Sequence, residues 1–299
     1  MLAFKRAHTF RLHFLARLFF TALGAVLAGA FSITPAFGEG GKPPIPQVNV
    51  PAITEVDAQF MCVGCDGRFG TATHKILIRN LAVNTYIGEL RRALYFQDSV
   101  HQFESKAHFD NCDFKASTDY IEELLKDVGI NAELAKAAKA ANDPTKAKAS
   151  AEKAFFSLGQ ALHGVQDFYA HSNYVELQVR TAKRREDVVL LAPWRPGGRE
   201  RIEQLQAKGL VSGFVFWGSP QKCAKGALSH AALAKDSDKT PSGKKAAGTL
   251  GISQYQLAVN LARAASLEFM QDAFERWPIL KEMNGPQVAF EIPSGGRGL

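Results

Sequence analysis

One stretch of this chain carries almost no charge, although its residue types favour a helix. From Ala154 to Val175 the sequence contains no Lys, Arg or Glu, and its only Asp is Asp167. A helix on the surface of a globular protein normally carries charged residues on its solvent face. A helix without them is buried on every side, so other helices must surround it. We therefore predict an all-α fold, a multi-helix bundle around one central helix over about 145–171.

The same stretch places two histidines and an aspartate on one helix face. His163, Asp167 and His171 follow each other at intervals of four, opposite an apolar arc. Buried imidazole and carboxylate groups need partners, and a metal ion serves all three at once. We therefore predict these residues as metal ligands. The simpler alternative is a hydrogen-bonded His–Asp pair that locks a core helix.

A second group of potential ligands lies upstream of the central helix. His101, Glu104 and His108 have the spacing of one face of a helix predicted over 99–109, and Asp110 follows where the chain turns. Imidazole and carboxylate groups are typical ligands of Zn²⁺. We predict His108 and Asp110 as ligands, with His101 next to the ligands or the substrate. Glu104 is predicted as a ligand or a catalytic base, and Asp110 is also predicted as a catalytic residue.

Three further residues belong to the candidate site. His74 stands near the start of the first core helix and is a candidate ligand, and Asn173 and Tyr174 are candidates to orient substrate or water. Of the histidines beyond residue 38, only His230 lies outside this candidate site. The predicted metal ligands are His74, His108, Asp110, His163, Asp167 and His171.

Apolar residues at a helical period also predict the rest of the domain, which we place at 71–277. Gly and Pro recur within 188–250, which predicts a loop-rich insertion, and residues 278–299 are predicted to be a tail. Helices are expected at 71 to about 94, 116–128, 132–141, 199–207 and 253–276.

The first 38 residues have the pattern of a secretory signal peptide. Basic residues up to Arg17 precede an apolar run from Leu18 to Phe31, and small residues end at Gly38. We predict cleavage there, export to the periplasm or the medium, and no later membrane span; an uncleaved anchor helix is the alternative. Residues 39–70 are predicted to be a Pro-rich linker with a Cys-x-x-Cys segment.

All four cysteines lie beyond this segment, in the part predicted to reach an oxidising compartment. Four cysteines allow three pairings. We favour Cys62–Cys65 together with Cys112–Cys223, and a redox pair or half of a zinc site remains an alternative for Cys62 and Cys65.

The charge of the chain bears on its partners. The formal net charge of +7 falls to +3 without residues 1–38, which is weak for a protein that tracks nucleic acid. The apolar run Phe214–Trp217 and Trp194 offer contacts for a phospholipid surface, with ordinary packing as the alternative. A phospholipid or membrane surface is therefore the preferred partner, and nucleic acid is the less favoured one.

The segment Leu158–Leu177 resembles the signature of HET-C-related proteins, which also occurs in the amino-terminal region of some von Willebrand factor A domain proteins. Thr73-His74, His108-Phe109-Asp110 and Ala234–Ser237 resemble the same group. More distantly, the Gly-x-x-Leu-His-x-x-x-Asp pattern at Gly159–Asp167 is similar to one in zinc-dependent phospholipases C and single-strand-specific zinc nucleases.

This resemblance implies a helical phosphodiesterase scaffold with one to three zinc ions. His74, Asp110, His163, Asp167 and His171 match ligand positions of these enzymes. The implied function is an exported zinc-dependent phosphoester hydrolase of phospholipase C type. The alternatives are a non-catalytic HET-C-like module with a structural metal site and a zinc nuclease.

Overall fold

The computed structural model of the protein describes residues 71–78, 81, 83, 85–216 and 220–285. The predictions for the signal peptide, the linker, Cys62–Cys65, Trp217 and the chain beyond Gly285 lie outside these residues. Within them the protein is mostly helical with only isolated β-bridges, which confirms the all-α prediction. The α-helices are α1 (Thr71–Ile78), α2 (Ile87–Val100), α3 (Ser105–His108), α4 (Phe114–Ala140), α5 (Pro144–His171), α6 (Tyr174–Val179), α7 (Gly198–Gln206), α8 (His230–Leu233), α9 (Gln254–Arg276) and α10 (Pro278–Asn284).

Helix α5 is the centre of the bundle, as the missing charges predicted. It begins at Pro144, after Asp143 accepts a 3.0 Å hydrogen bond from the backbone N–H of Lys146. Every residue from Ser157 to His171 is buried, and α2, α4 and α9 pack around the helix. The predicted central helix is therefore confirmed to within a residue of its start.

A close approach between α5 and α2 depends on one glycine. A Cβ at Gly159 would lie 2.6 Å from the Cβ of Ala93 and 3.0 Å from the backbone of Leu90. No side chain fits in that space, so Gly159 lets the two helix backbones come together. This contact positions α2, which carries Asp98, against the histidine face of α5.

Helix α4 runs without a break through Gly129, whereas the sequence predicted two separate helices at 116–128 and 132–141. An interior glycine costs a helix only about 1 kcal/mol, which tertiary packing can offset. Gly129 faces the indole of Trp277, whose Nε1 would be 3.4 Å from an added Cβ. Ala132 and Ala135 are buried, so the second half of α4 also belongs to the core.

The helix predicted over 99–109 is wrong. Helix α2 ends at Val100, and only the four residues of α3 are helical before the chain turns. Phe109, Asn111 and Cys112 adopt left-handed backbone angles, with φ of 53°, 57° and 58°. Such angles end α3. Between α2 and α3, Glu104 has extended backbone angles, with φ of −99° and ψ of 107°, so His101, Glu104 and His108 do not share a helix face.

The ends of the domain also differ from expectation. The apolar period from 71 to 94 is divided between α1 and α2, because Leu81, Val83 and Tyr86 are buried but not helical. Residues 278–284, assigned to the tail by sequence, form α10, and its Ile279 and Leu280 are buried.

The insertion at 188–250 is loop-rich as predicted, and α7 lies where a short helix was expected. It is joined to the turn before α4 by the disulfide Cys112–Cys223, which confirms that predicted pairing. No helix in the described part of the chain is both long enough and apolar enough to cross a membrane.

Candidate metal centre

Asp167 lies at the centre of the candidate site. His74 of α1 and His163 of α5 approach its carboxylate, with Nε2–O distances of 3.2 and 2.9 Å. All three side chains are buried, and their ligand atoms lie within 4.8 Å of one another. We call His74, His163 and Asp167 the inner group.

His108 approaches the same oxygen of Asp167 as His163 does. His108 Nδ1 lies 3.0 Å from Asp167 Oδ2 and 3.1 Å from His163 Nε2. Asp98 of α2 adds a carboxylate 3.7 Å from His163 Nε2 and forms a second potential metal-binding group with His108 and His163. The end of α2 therefore closes one side of the site.

Asp110, His171 and His230 form a third group, which we call the outer group. Asp110 Oδ1 lies 3.0 Å from His230 Nδ1 and 3.9 Å from His171 Nδ1. Asp236 stands on the other side of both imidazoles, 3.3 Å from His171 Nε2 and 3.8 Å from His230 Nε2. His230 is the most accessible of these side chains, at 19% exposure. The outer group therefore faces the surface, and the inner group does not.

The backbone turn after α3 aims two of these side chains. Asn111 donates its backbone N–H to Gly213 at 2.8 Å and accepts the N–H of Val215 on its side chain at 2.7 Å. The N–H of His230 in turn donates to the carbonyl of Phe214 at 2.9 Å. The turn that carries His108 and Asp110 is thus bound to the loop that carries His230.

Lys235 fastens the other end of that loop. Its buried ammonium group donates to the carbonyls of Ser172 and Leu233, both at 2.8 Å, and to Glu176 at 3.2 Å. Burial lowers the pKa of Lys235, and the carboxylate of Glu176 opposes that shift. Because Lys235 precedes Asp236 and holds the end of α5, it fixes the carboxylate beside His171.

The ionised carboxylate of Asp167 in the inner group needs a positive charge beside it. Burial alone raises the pKa of Asp167, but the surrounding histidines outweigh it and hold that pKa well below the usual value. Burial lowers the pKa of His74, but Asp167 outweighs it and raises the pKa to about 9. The pKa of His163 is lowered by burial and by the charge of His74, despite the attraction of Asp167. An ionised carboxylate in this core thus requires positive charge, from protons or from a metal.

The donor atoms also suit zinc. Imidazole nitrogens and carboxylate oxygens bind Zn²⁺ at about 2.0–2.2 Å, so tetrahedral ligand atoms lie roughly 3.3–3.5 Å apart. The spacings of 2.9–3.2 Å from Asp167 to His74, His163 and His108 are slightly shorter, and those of 3.0–3.9 Å among the outer group and Asp236 extend to either side of this range. His108 Nε2 and His163 Nδ1 are buried without a hydrogen-bond partner among the described residues. The side chains present therefore fit a metal centre.

Four of the predicted residues lie outside these groups. His101 Nδ1 is 2.6 Å from Glu104 Oε1, and Lys106 lies 3.3 Å from the other oxygen of Glu104. Burial raises the pKa of Glu104, but His101 and Lys106 outweigh it and lower that pKa. His101 and Glu104 belong to none of the three groups. They precede α3, so the helix that carries His108 does not carry them.

Asn173 and Tyr174 hold loops instead of facing the ligands. The Asn173 amide donates to the carbonyl of Gly209 and accepts the N–H of Val211, both at 2.8 Å. The Tyr174 hydroxyl donates to the carbonyl of Val189 at 2.6 Å. Both side chains thus attach the insertion to the end of α5.

Three residues of the site were missed by sequence reasoning: Asp98, His230 and Asp236. Asp98 continues the spacing of Leu90 and Leu94 at intervals of four, so a carboxylate on the core side of α2 was a usable signal. His230 precedes Asp236 by six residues, and their meeting depends on a loop path that no local spacing specifies. The sequence left His230 out of the candidate site, whereas the structure places it beside Asp110 and His171.

Comparison with known proteins gives one match. The family model for the heterokaryon incompatibility protein Het-C matches residues 105–189. No curated protein and no solved structure matches the chain. The matched segment begins at α3, spans α4, α5 and α6, and contains His108, Asp110, His163, Asp167 and His171. Residues 105–189, with five of the candidate ligands, are therefore similar to the Het-C family.

Proposed function

We propose that this protein is an exported zinc-dependent phosphoester hydrolase, with phospholipid as the preferred substrate class. One observation carries the proposal: five imidazoles and four carboxylates from α1, α2, the α3 turn, α5 and the 230–236 loop meet in one space. His74, His163 and Asp167 would hold one ion. The outer group, with Asp236, would hold another.

Bound zinc would supply a water of lowered pKa and positive charge to stabilise a pentavalent phosphate. The chain's own part is to orient the ligands. Asp110 holds the Nδ1 side of His230, and the carbonyl of His108 lies 3.2 Å from His171 Nδ1. A partner on one imidazole nitrogen fixes the ring and directs the other nitrogen to its ligand. His230 and Asp110 also stand where substrate can reach the site, because the outer group is partly exposed.

The preference for phospholipid rests on the surface near the outer group. Phe216 and Leu228 are 78% and 56% exposed and flank the segment that leads to His230. Lys222 and Lys225 lie between them, and the described part of this segment contains no acidic residue. An apolar and basic rim suits an anionic lipid surface. The Cys112–Cys223 disulfide supports an oxidising compartment, in keeping with the proposed export.

One observation favours a second function. The inner group is fully buried, and structural metal sites are closed in this way. A non-catalytic module with a metal-stabilised core is therefore the alternative, and zinc content together with hydrolysis separates the two functions.

The test uses the full chain, purified without chelator. Metal content is measured by mass spectrometry, and hydrolysis is measured on phosphatidylcholine vesicles, bis(4-nitrophenyl) phosphate and single-stranded DNA. We expect zinc in the protein and hydrolysis of the first two substrates. His163→Ala should remove the inner zinc ion and the activity. Tyr169→Phe is the matched control, since it deletes a buried hydrogen bond of α5, to the carbonyl of Leu191, without removing a ligand.

The outcomes are distinguishable. Zinc that raises the melting temperature without hydrolysis of any of the three substrates supports the structural module and overturns the enzyme. Hydrolysis of single-stranded DNA alone identifies a nuclease and overturns the lipid preference. A protein without bound metal, whose melting temperature is unchanged by added zinc, overturns both.

A further inference from the structure

A basic cleft lies on the outside of α1 and α2, away from the ligand groups. It has a volume of about 510 Å³ and is lined by Lys75, Arg91, Arg92 and Tyr95. Three of its four lining residues are cations, and Tyr95 presents a phenol that is 61% exposed. The cleft therefore offers hydrogen-bond donors and positive charge.

Among the residues that the structure describes, only Glu89 neutralises part of this charge. Glu89 forms an ion pair with Arg92, whose guanidinium also lies 4.8 Å from the ring centre of Phe156. These two contacts hold the guanidinium of Arg92 in place. Within the described ranges, Lys75 and Arg91 have no hydrogen bond or ion pair. With Glu89 included, the cleft carries a net charge of two positive units.

The cleft is connected to the metal centre through both of its helices. Lys75 directly follows His74 of the inner group in α1. On α2, Arg91, Tyr95 and Asp98 lie on one face, because their intervals are four and three. Arg91 and Asp98 are seven residues apart, which is about 10 Å along the helix axis. The part of the cleft lined by Arg91 therefore lies about two helical turns from the carboxylate that faces His163.

We infer that this cleft binds a phosphate group other than the one that is hydrolysed. Arg91 supplies a planar pair of donors that matches two phosphate oxygens, and Lys75 supplies a mobile point charge. Arg92, already fixed by Glu89 and Phe156, closes the cleft on one side. The phosphate comes from a second phosphate group of the substrate, a source that rests on the proposed function, or from free inorganic phosphate.

Binding is tested without reference to activity. Inorganic phosphate is titrated into the full chain by calorimetry, with EDTA present and the ionic strength held constant. We expect one binding site, and an affinity at least about tenfold lower in Lys75→Ala/Arg91→Ala, because two charge-assisted contacts are lost. Arg91→Lys should give an intermediate loss, since the charge remains but the paired donors do not.

Lys126→Ala/Lys136→Ala on α4 is the matched control, because it removes the same charge from an exposed helix face. This control should bind phosphate as the wild type does. Absence of binding in the wild type, or an equal loss in both double variants, overturns the site. Either result leaves the zinc and hydrolysis measurements unaffected, so failure of this inference is distinct from failure of the proposed function.

The two sources of phosphate are separated in the zinc-containing protein. Inositol 1-phosphate and inositol 1,4-bisphosphate are titrated into the wild type and into Lys75→Ala/Arg91→Ala. Tighter binding of the bisphosphate that disappears in the variant identifies a second phosphate of the substrate. Equal binding of both compounds, with phosphate binding intact in EDTA, assigns the cleft to free phosphate.

Discussion

His230 Nδ1 lies 3.0 Å from Asp110 Oδ1, although 120 residues separate the two in the chain. The contact joins a four-residue helix in the insertion to the turn before α4. It also brings the outer group together, because His171 reaches the same carboxylate oxygen at 3.9 Å. The geometry of the outer group thus depends on a loop, whereas that of the inner group depends mainly on α5 and α1.

This difference predicts that the two groups can be emptied separately. His230→Ala removes one ligand of the outer group and leaves His74, His163 and Asp167 in place. We expect the bound zinc to fall by one equivalent and the affinity of the outer group to fall at least about 100-fold. Titration with a zinc indicator measures both quantities. His74→Ala is the reciprocal variant and should remove the inner ion. Equal loss of both ions in His230→Ala would contradict separate groups.

The Cys112–Cys223 disulfide closes a long segment of chain, with a sequence separation of 111 residues. A crosslink of that length restricts the unfolded chain, so Cys112→Ser/Cys223→Ser should lower the free energy of unfolding by about 2–5 kcal/mol. Guanidinium unfolding with EDTA present measures this loss without a contribution from metal. Ser212→Ala is the control, because it removes only the 2.8 Å hydrogen bond to the Cys112 N–H. A double variant no less stable than Ser212→Ala would refute the prediction.

Gly159 is expected to tolerate no side chain. Gly159→Ala places a Cβ 2.6 Å from the Cβ of Ala93, so α2 and α5 must move apart. We expect a loss of about 1–3 kcal/mol in the free energy of unfolding, measured by thermal or chemical unfolding. Gly88→Ala is the matched control on α2, because nothing lies within 4 Å of its added Cβ. Because alanine loses less backbone freedom than glycine on folding, the free energy of unfolding of Gly88→Ala should equal that of the wild type or exceed it by up to about 1 kcal/mol. Similar losses in both variants would show that α2 and α5 pack less closely.

Asp272 should contribute to the loss of folding stability at acid pH. Burial raises its pKa, but hydrogen bonds from Arg195 and Trp194, at 2.6 and 2.7 Å, outweigh burial and lower the pKa. A lowered pKa in the folded state stabilises the protein above the pKa of an unfolded aspartate, about 3.9. That contribution is lost as the pH falls from about 3.9 through the pKa of Asp272 in the folded protein.

Unfolding by urea between about pH 2 and pH 7 measures this contribution. Asp272→Asn should lower stability by about 1–2 kcal/mol near pH 7 and match the wild type at the acid end. Asp127→Asn, at an exposed aspartate of α4, is the control and should be as stable as the wild type near pH 7. A constant difference between Asp272→Asn and wild type at every pH would contradict the assignment.

The parts of the fold that follow from local patterning could be predicted. The missing charges between Ala154 and Val175 required a surrounded helix, and the surrounding helices are there. The intervals of four at His163, Asp167 and His171 predicted that these three side chains lie on one face of α5, and they do, because a single rigid helix determines their relative positions. The helix at 99–109 was predicted wrongly, because the extended backbone of Glu104 between α2 and α3 is not visible in the spacing of side chains.

The rest of the site depends on contacts between distant segments. His230 reaches Asp110 only because the loop at 211–215 binds the turn around Asn111 and the disulfide closes behind it. Asp236 reaches His171 because the preceding residue, Lys235, is buried and donates hydrogen bonds to Ser172 and Glu176. Neither contact follows from a regular interval between residues in the sequence. Helical intervals therefore identify the candidate ligands on α5 but not His230 and Asp236.

The ligands come from residues 74 to 236, while the Het-C similarity covers only 105–189. A shortened chain cut at those limits would keep His108, Asp110, His163, Asp167 and His171 but would lose His74, Asp98, His230 and Asp236. It would also lose α1, α2 and α9, exposing an apolar central helix to water. The region of similarity thus lacks helices that bury α5 and four of the nine candidate ligands, so biochemical work requires the chain from α1 through α10.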